Sequence, residues 1–351
     1  MVPRRHGVRR AGLALLAAAA LLLGGVTPGA QTNVAADRIW FSPSPGSIDY
    51  LGLFEHPEEW ARARQLVSVF KFYQQHTQTP APDIVGPNTY DALARAGAFR
   101  LLTQWTKKIA IEAGSVKEFY CTPDASGMNE SIGKTLDTLR AVQAAGGTVA
   151  YIAMDEPFVS GRARVCGGPA LEPTADRVAT YVSAVKAASP NVAIGLIEAY
   201  PFSSADMIEA EVGLLQARGA TPAFLHMDVD WHLSGAAAFK TDMARLSAFA
   251  AARKIPFGII ITGYDGNADA LYAVDAYKIT DLIATTFQTW AHMPDHLIVQ
   301  SWAVTSTGLV ITPANLDDER AFSHTALLRD TYRRLRGGTG ASTGTAIPKS
   351  R

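Results

Sequence analysis

The sequence predicts an α/β fold, a single (β/α)8 TIM barrel, and three observations predict it. Short apolar runs of buried-strand length alternate with amphipathic segments, and they do so eight times between Thr32 and Gly337. Helical stretches stop at residues that end helices, Gly146-Gly147, Pro190-Asn191 and Gly219, and an apolar run follows each stop promptly. No G-x-G-x-x-G turn follows the first run, so eight units in one span favour a closed barrel over an open doubly wound sheet.

In chain order the predicted strands are Ile39–Ser42, Val67–Phe72, Ile109–Ala113, Val149–Met154, Val192–Ile197, Ala223–Met227, Phe257–Thr262 and Leu297–Ser301. Each is rich in Val, Ile, Phe or Ala, as a strand covered on both faces requires. The predicted helices between them are Glu58–Gln65, Tyr90–Thr106, Ser131–Ala145, Thr174–Ala188, Asp206–Arg218, Ala237–Arg253 and Ala268–Trp290. A last helix, Phe322–Leu335, closes the ring. Right-handed helical crossovers between consecutive strands make the sheet parallel.

The two ends read differently from this repeat. Residues 1–30 carry a basic stretch with Arg4, Arg5, Arg9 and Arg10, an apolar run from Ala11 to Leu23, then small residues up to Gly29 and Ala30. That order predicts a secretory signal peptide and a secreted or periplasmic protein. The apolar run is too short to span a bilayer comfortably, and no later run reaches the length of a membrane helix, so no membrane association is expected after cleavage. Residues 32–337 form the barrel domain, and 338–351, rich in Gly, Ser and Thr, are predicted to be a disordered tail. With 32 basic and 32 acidic residues and no basic stripe interleaved with aromatics, nucleic acid is excluded as a partner. A monomer acting on a small or neutral substrate without a cofactor or metal is the expectation.

Barrel chemistry sits at the C-terminal ends of the strands, and here those ends are strongly polar. Strand two ends with Lys71 and Tyr73, strand three with Glu112, strand four with Asp155-Glu156-Pro157, and strand five with Glu198 and Tyr200. Strand six ends with His226, Asp228, Asp230 and Trp231, strand seven with Thr262, Tyr264 and Asp265, and strand eight with Gln300, Ser301 and Trp302. Acids emerging from apolar strands into a shared mouth lie close together, and that closeness separates their pKa values, which is how acid/base pairs are made. His226, Asp228 and Asp230 share one parity and point the same way.

The run Tyr-Ile-Ala-Met-Asp-Glu-Pro, Tyr151 to Pro157, resembles the strand-four ending of clan-A glycoside hydrolases, where Asn-Glu-Pro supplies the acid/base glutamate. By that resemblance Glu156 protonates a glycosidic oxygen, Asp155 stands in the asparagine's place, and Ser301-Trp302 is similar to the aromatic floor of a sugar subsite. The resemblance implies a carbohydrate substrate, contacted by Lys71, Tyr73, Glu112, Asp155, Tyr200, His226, Trp231, Tyr264, Gln300 and Trp302, with Trp40 also near the mouth. Clan-A enzymes carry a nucleophilic glutamate on strand seven, and this sequence has none there. The second carboxylate is therefore open among Glu198, Asp228, Asp230 and Asp265, and with it a retaining or inverting outcome.

Two other readings compete. Glu112, Glu156 (or Asp155) and Glu198 end successive strands in a manner similar to the metal ligands of the enolase superfamily, with Lys71 where that superfamily keeps a lysine. A non-catalytic glycan-binding barrel that kept the aromatics is the third. Finally, Cys121 and Cys166 fall in the loops after strands three and four, side by side at one face, and in an oxidising compartment a disulfide between them is expected.

Overall fold

Eight parallel strands, each hydrogen-bonded to its sequence neighbours, close on themselves through the pairing of the first with the last. The computed structural model describes residues 37–115, 126–161, 170–264, 268–302 and 313–337. The strands are β1 (Ile39–Ser42), β2 (Val69–Tyr73), β3 (Lys108–Ala113), β4 (Val149–Asp155), β5 (Ala193–Tyr200), β6 (Leu225–Val229), β7 (Phe257–Ile261) and β8 (His296–Gln300). The helices are α1 (Gly52–Glu55), α2 (Ala61–Leu66), α3 (Tyr90–Arg95), α4 (Ala98–Gln104), α5 (Ser126–Ala144), α6 (Pro157–Gly161), α7 (Leu171–Ala188), α8 (Ala205–Ala217), α9 (Trp231–Ala252), α10 (Asp269–Phe287) and α11 (His324–Gly337).

All eight predicted strands are present; β1 keeps its predicted bounds and the other seven have shifted ends. The largest extension is at β5, which continues to Tyr200 because Glu198 and its neighbours stay buried along the ladder. The predicted helix Tyr90–Thr106 is two helices, since Gly97 adopts a left-handed conformation (φ 70°) between α3 and α4. The helix predicted from Ala237 begins at Trp231, where Asp230 caps it, and Gly235 (φ 76°, ψ 156°) kinks it one turn later. A glycine tolerates that backbone and a polar cap fixes the start, so the extra turn forms despite its weak apolar pattern. The signal peptide, the disordered tail and the Cys121–Cys166 pairing fall outside the described residues.

Two apolar layers follow from strand parity. The inner layer fills the barrel with Trp40, Val69, Ala110, Tyr151, Ala153, Ile197, Phe224, Ile260 and Ile298. The alternate residues, Phe41, Phe70, Phe72, Ile111, Ile152, Leu196, Leu225, Met227, Ile259 and Val299 among them, face the helices. The aromatic filling dictates small residues opposite it. A Cβ on Gly195 would stand 2.3 Å from the Phe224 ring, and one on Gly258 2.7 Å from His226 and 2.8 Å from the Cβ of His296. Gly195→Ala is expected to destabilise the fold by about 1–3 kcal/mol, the usual cost of overpacking a close-fitting core, read as a lower midpoint in thermal unfolding.

The N-terminal end of the barrel is closed by a polar plug. Lys108 Nζ lies 2.6 Å from Asp37 Oδ2, and the Tyr151 hydroxyl donates to the same carboxylate. Polar residues at this end of a barrel serve stability, and the opposite end is left for chemistry.

Candidate active site

The floor of the site is aromatic and imidazole. Trp40 packs on Tyr151, Phe224, His226 and His296 with ring centroids 4.8–5.3 Å apart. His226 Nε2 and His296 Nδ1 are 2.8 Å apart. Burial, then the neighbouring His296 and Lys71, hold the His226 ring well below its ordinary pKa, so it is neutral. His226 and Trp40 have no exposed surface. Both were expected at the mouth and are instead packing beneath it, because each sits one pleat deeper than the polar layer.

One pleat closer to the mouth, the inward positions turn polar together: Ser42 beyond Trp40, Lys71 beyond Val69, Glu112 beyond Ala110, Asp155 beyond Ala153, Asp228 beyond His226, Thr262 beyond Ile260 and Gln300 beyond Ile298. On β5 the corresponding position is Ala199. Lys71 is fully buried and its ammonium donates to Glu112 and to Gln300 Oε1. A buried ammonium needs such partners, since an unpaired one loses its hydration without compensation.

Asp228 is the electrostatic centre of this layer. Burial is the largest cause of its shift; the charges of Glu156, Glu112 and Asp155 add to it, Lys71 opposes it, and the carboxyl is pushed up to about 7. The Tyr264 hydroxyl donates to Asp228 Oδ1 at 3.4 Å. A folded-state pKa above the unfolded one means that the native protein holds this proton more tightly, so its contribution to stability declines as pH rises from about 4 to about 7. Asp228→Asn is expected to stabilise the fold at pH 8 by about 1–2 kcal/mol after allowing for partial solvent screening, read as a higher thermal midpoint, and to leave stability unchanged near pH 3.

Glu156 stands beside this layer on a turn of unusual geometry. β4 ends at Asp155, Glu156 takes φ 48°, and Pro157 opens α6, where a missing N–H is no loss. The Glu156 N–H donates to the carbonyl of Ile197 at 3.0 Å, and its own carbonyl accepts from Ser160 N at 3.1 Å. A non-glycine residue at positive φ costs roughly 1–3 kcal/mol, a form of strain that concentrates at functional sites.

Aromatics frame the opening at β7 and β8, and Tyr73 of β2, expected to contact substrate, is instead buried behind them. Trp302 and Tyr264 are 37% and 42% exposed. Tyr73 lies 4.9 Å from the Trp302 ring and donates its hydroxyl to the Ser301 carbonyl at 3.0 Å. Tyr272 on α10, which the sequence did not single out, donates to the Gln300 carbonyl and lies 3.0 Å from Thr262 Oγ1. Also unforeseen is Asp275, a buried acid on the same helix. It accepts from Tyr264 N at 2.9 Å and meets His232 Nε2 at 2.9 Å. A carboxylate on the apolar face of a helix was the available signal.

Several predicted site residues lie elsewhere. Glu198 and Tyr200 take the outward parity of β5 with Leu196. Glu198 accepts from the N–H groups of Phe158 and Val159, and the Tyr200 hydroxyl donates to Asp242 on α9 at 2.6 Å. Asp230 caps α9, accepting from His232 N and Leu233 N at 3.0 and 3.3 Å. Trp231 packs against the outer core, with Lys278 Nζ 5.3 Å from its ring. Asp265 falls outside the described residues. The enolase-like ligand set is thereby divided, since Glu198 is on the helix side of the sheet and Glu112 is paired with Lys71. Among the described residues the one trio of such groups within reach of a common ion is His56, Glu58 and Glu59, all exposed.

No family model and no curated protein matches this chain. Solved structures do. SrfJ from Salmonella typhimurium superposes with a TM-score of 0.57 at 11% identity, covering 86% of this chain and 75% of that one. An endo-β-1,4-mannanase of glycoside hydrolase family 26 from Cellulomonas fimi gives 0.52 at 10%, covering 85% and 74%. A glucosidase from Croceicoccus marinus gives 0.50 at 14%, covering 86% and 68%. At these identities the likeness is one of fold, and the fold is the (β/α)8 barrel that this chain shares with glycoside hydrolases.

Proposed function

We propose that this protein is a secreted glycoside hydrolase that cleaves an oligo- or polysaccharide with the carboxylates Glu156 and Asp228. The observation that carries the reading is the Asp228 carboxyl, pushed up to about 7 beside Glu156 at the open end of the barrel. Two neighbouring acids that cannot both ionise freely divide into a proton holder and a charged partner. Asp228 holds the proton in the free protein and delivers it to the glycosidic oxygen as the C–O bond breaks. Glu156 is the partner carboxylate that supports the developing positive charge at the anomeric carbon, either directly or through a water. This allocation departs from the strand-four resemblance, in which the glutamate is the donor.

Tyr264 and Trp302 offer exposed apolar faces on which sugar rings stack, with Tyr73 buried behind Trp302, while Glu112 and Gln300 face sugar hydroxyls and Lys71, fully buried like His226, holds those two from beneath rather than meeting substrate. The basic and apolar leader supports export, and in that compartment Cys121 and Cys166 would join two loops at the rim. A screen of neutral polysaccharides with product sizing tests the reading. Release of oligosaccharides with an alkaline limb near pH 7, lost in Asp228→Asn, is the expected result. Sugar binding without product from any substrate would instead favour a glycan-binding barrel.

A further inference from the structure

The acid that strand parity removes from the barrel interior is not idle. Glu198 is fully buried between β5 and the helical layer. Its Oε1 accepts from Phe158 N at 2.8 Å and its Oε2 from Val159 N at 3.2 Å, both in the first turn of α6. The residue before it, Ile197, accepts the N–H of Glu156 through its carbonyl. β5 thus holds the Asp155-Glu156-Pro157 turn at consecutive positions, once by main chain and once by side chain. Only the side-chain attachment is specific to the sequence.

A second acid backs the first. Glu211 on α8 is also fully buried, and Ser203 donates to its Oε1 at 3.1 Å. Burial first, then the charge of Glu211, raise the Glu198 carboxyl well above its ordinary range, while the two N–H groups oppose the shift. A carboxylate is an expensive choice for this position if its task were packing alone, because an apolar side chain of similar size would avoid the desolvation.

We infer that Glu198 is a positioning residue: it fastens the first turn of α6 to β5 and so fixes the backbone of Glu156, which φ 48° would otherwise leave free to relax away from Asp228. The inference rests on the reading of Glu156 and Asp228 as the working pair, and its consequence is that a carboxyl on the outer side of β5 sets the geometry of the turn that carries Glu156.

The test reads Asp228 itself, by the carbon chemical shift of its labelled carboxyl during a pH titration of the full folded chain, and needs no substrate. Among the charges bearing on Asp228, Glu156 is the largest contributor. Glu156→Gln should therefore lower the Asp228 midpoint, by about one pH unit. Glu198→Ala should lower it in the same direction, and the double variant should show no further fall beyond Glu156→Gln. Glu198→Gln keeps a side-chain oxygen that accepts from the turn, and should restore at least half of the Glu198→Ala shift. Tyr181→Phe, which removes a buried hydroxyl contact to Thr135 in the outer layer, controls for lost stability and should leave the midpoint in place.

An Asp228 midpoint that Glu156→Gln does not move would sink the pairing of the two carboxylates. A midpoint that moves with Glu156→Gln but stays put in folded Glu198→Ala would overturn the positioning role alone. An equal shift in Glu198→Gln and Glu198→Ala would overturn it too, since the retained acceptor would then hold nothing in place. Where a cleaved substrate is found, kcat should fall about 10- to 100-fold in Glu198→Ala with KM within about twofold, as for a misplaced reacting group.

Discussion

If the proposed pair is the working pair, Glu156→Gln is expected to lower hydrolysis by about 10²- to 10⁴-fold, the loss that follows when a carboxylate acting on the reacting bond becomes an amide of equal size. Sugar binding stays within a few fold, because the exposed faces of Tyr264 and Trp302 are untouched. The two effects separate cleanly in kinetics: kcat falls while KM holds, the signature of an interaction made only in the transition state. Isothermal titration with a product oligosaccharide checks the binding half. Full activity in this variant would remove Glu156 from the mechanism, and with it the meaning of the strained turn that carries it. The fold survives the substitution, since the turn is held by main-chain bonds from Glu156 to Ile197 and Ser160 that an amide side chain leaves in place.

Lys71→Met destabilises the barrel by roughly 3–5 kcal/mol, the cost of stranding a buried charge when its partner is removed. Glu112 is left nearly enclosed without its ammonium, and Gln300 loses the donor on its side-chain oxygen. The melting midpoint drops by about 5 to 15 °C. Asp228 responds as well. Lys71 is the group opposing its upward shift, so in the variant its carboxyl stays protonated to higher pH, and the alkaline limb of any activity moves up from near 7. Lys71→Met combined with Glu112→Leu recovers much of the stability, because a buried pair replaced whole by apolar groups leaves no orphan charge. Activity does not return, since the polar floor is gone. A single variant with wild-type stability would mean that water reaches Glu112 and replaces the ammonium.

These expectations differ in how far the sequence alone supports them. The eight-fold alternation of apolar runs and amphipathic segments, with its glycine and proline stops, was enough to specify a closed barrel. Burial on both faces writes itself into each strand as a continuous apolar run, and a run repeated eight times has few architectures to choose from. The same property hid the parity of β5. In a strand covered on both sides Ile197 and Glu198 look equally entitled to face the lumen, and nothing local decides between them. On β6 the alternation of His226, Asp228 and Asp230 announced one face, yet not where that face leaves the strand. Asp230 is a helix cap and His226 a floor residue, so of the three only Asp228 reaches the mouth.

What the amino-acid sequence determined by itself was therefore the barrel, the end at which its polar residues gather, and the Asp-Glu-Pro turn on strand four. Those features rest on local periodicity and on residue types that carry their own conformational preferences. Tertiary structure decided the membership of the acid cluster. Register between strands and the side of the sheet each carboxyl takes set which groups are buried and which charges meet, and burial of Asp228, then the charges of Glu156, Glu112 and Asp155, raise a pKa that no short segment encodes. It also gave Glu198 a different place from the one its position suggested, outside the barrel and against the turn that holds Glu156.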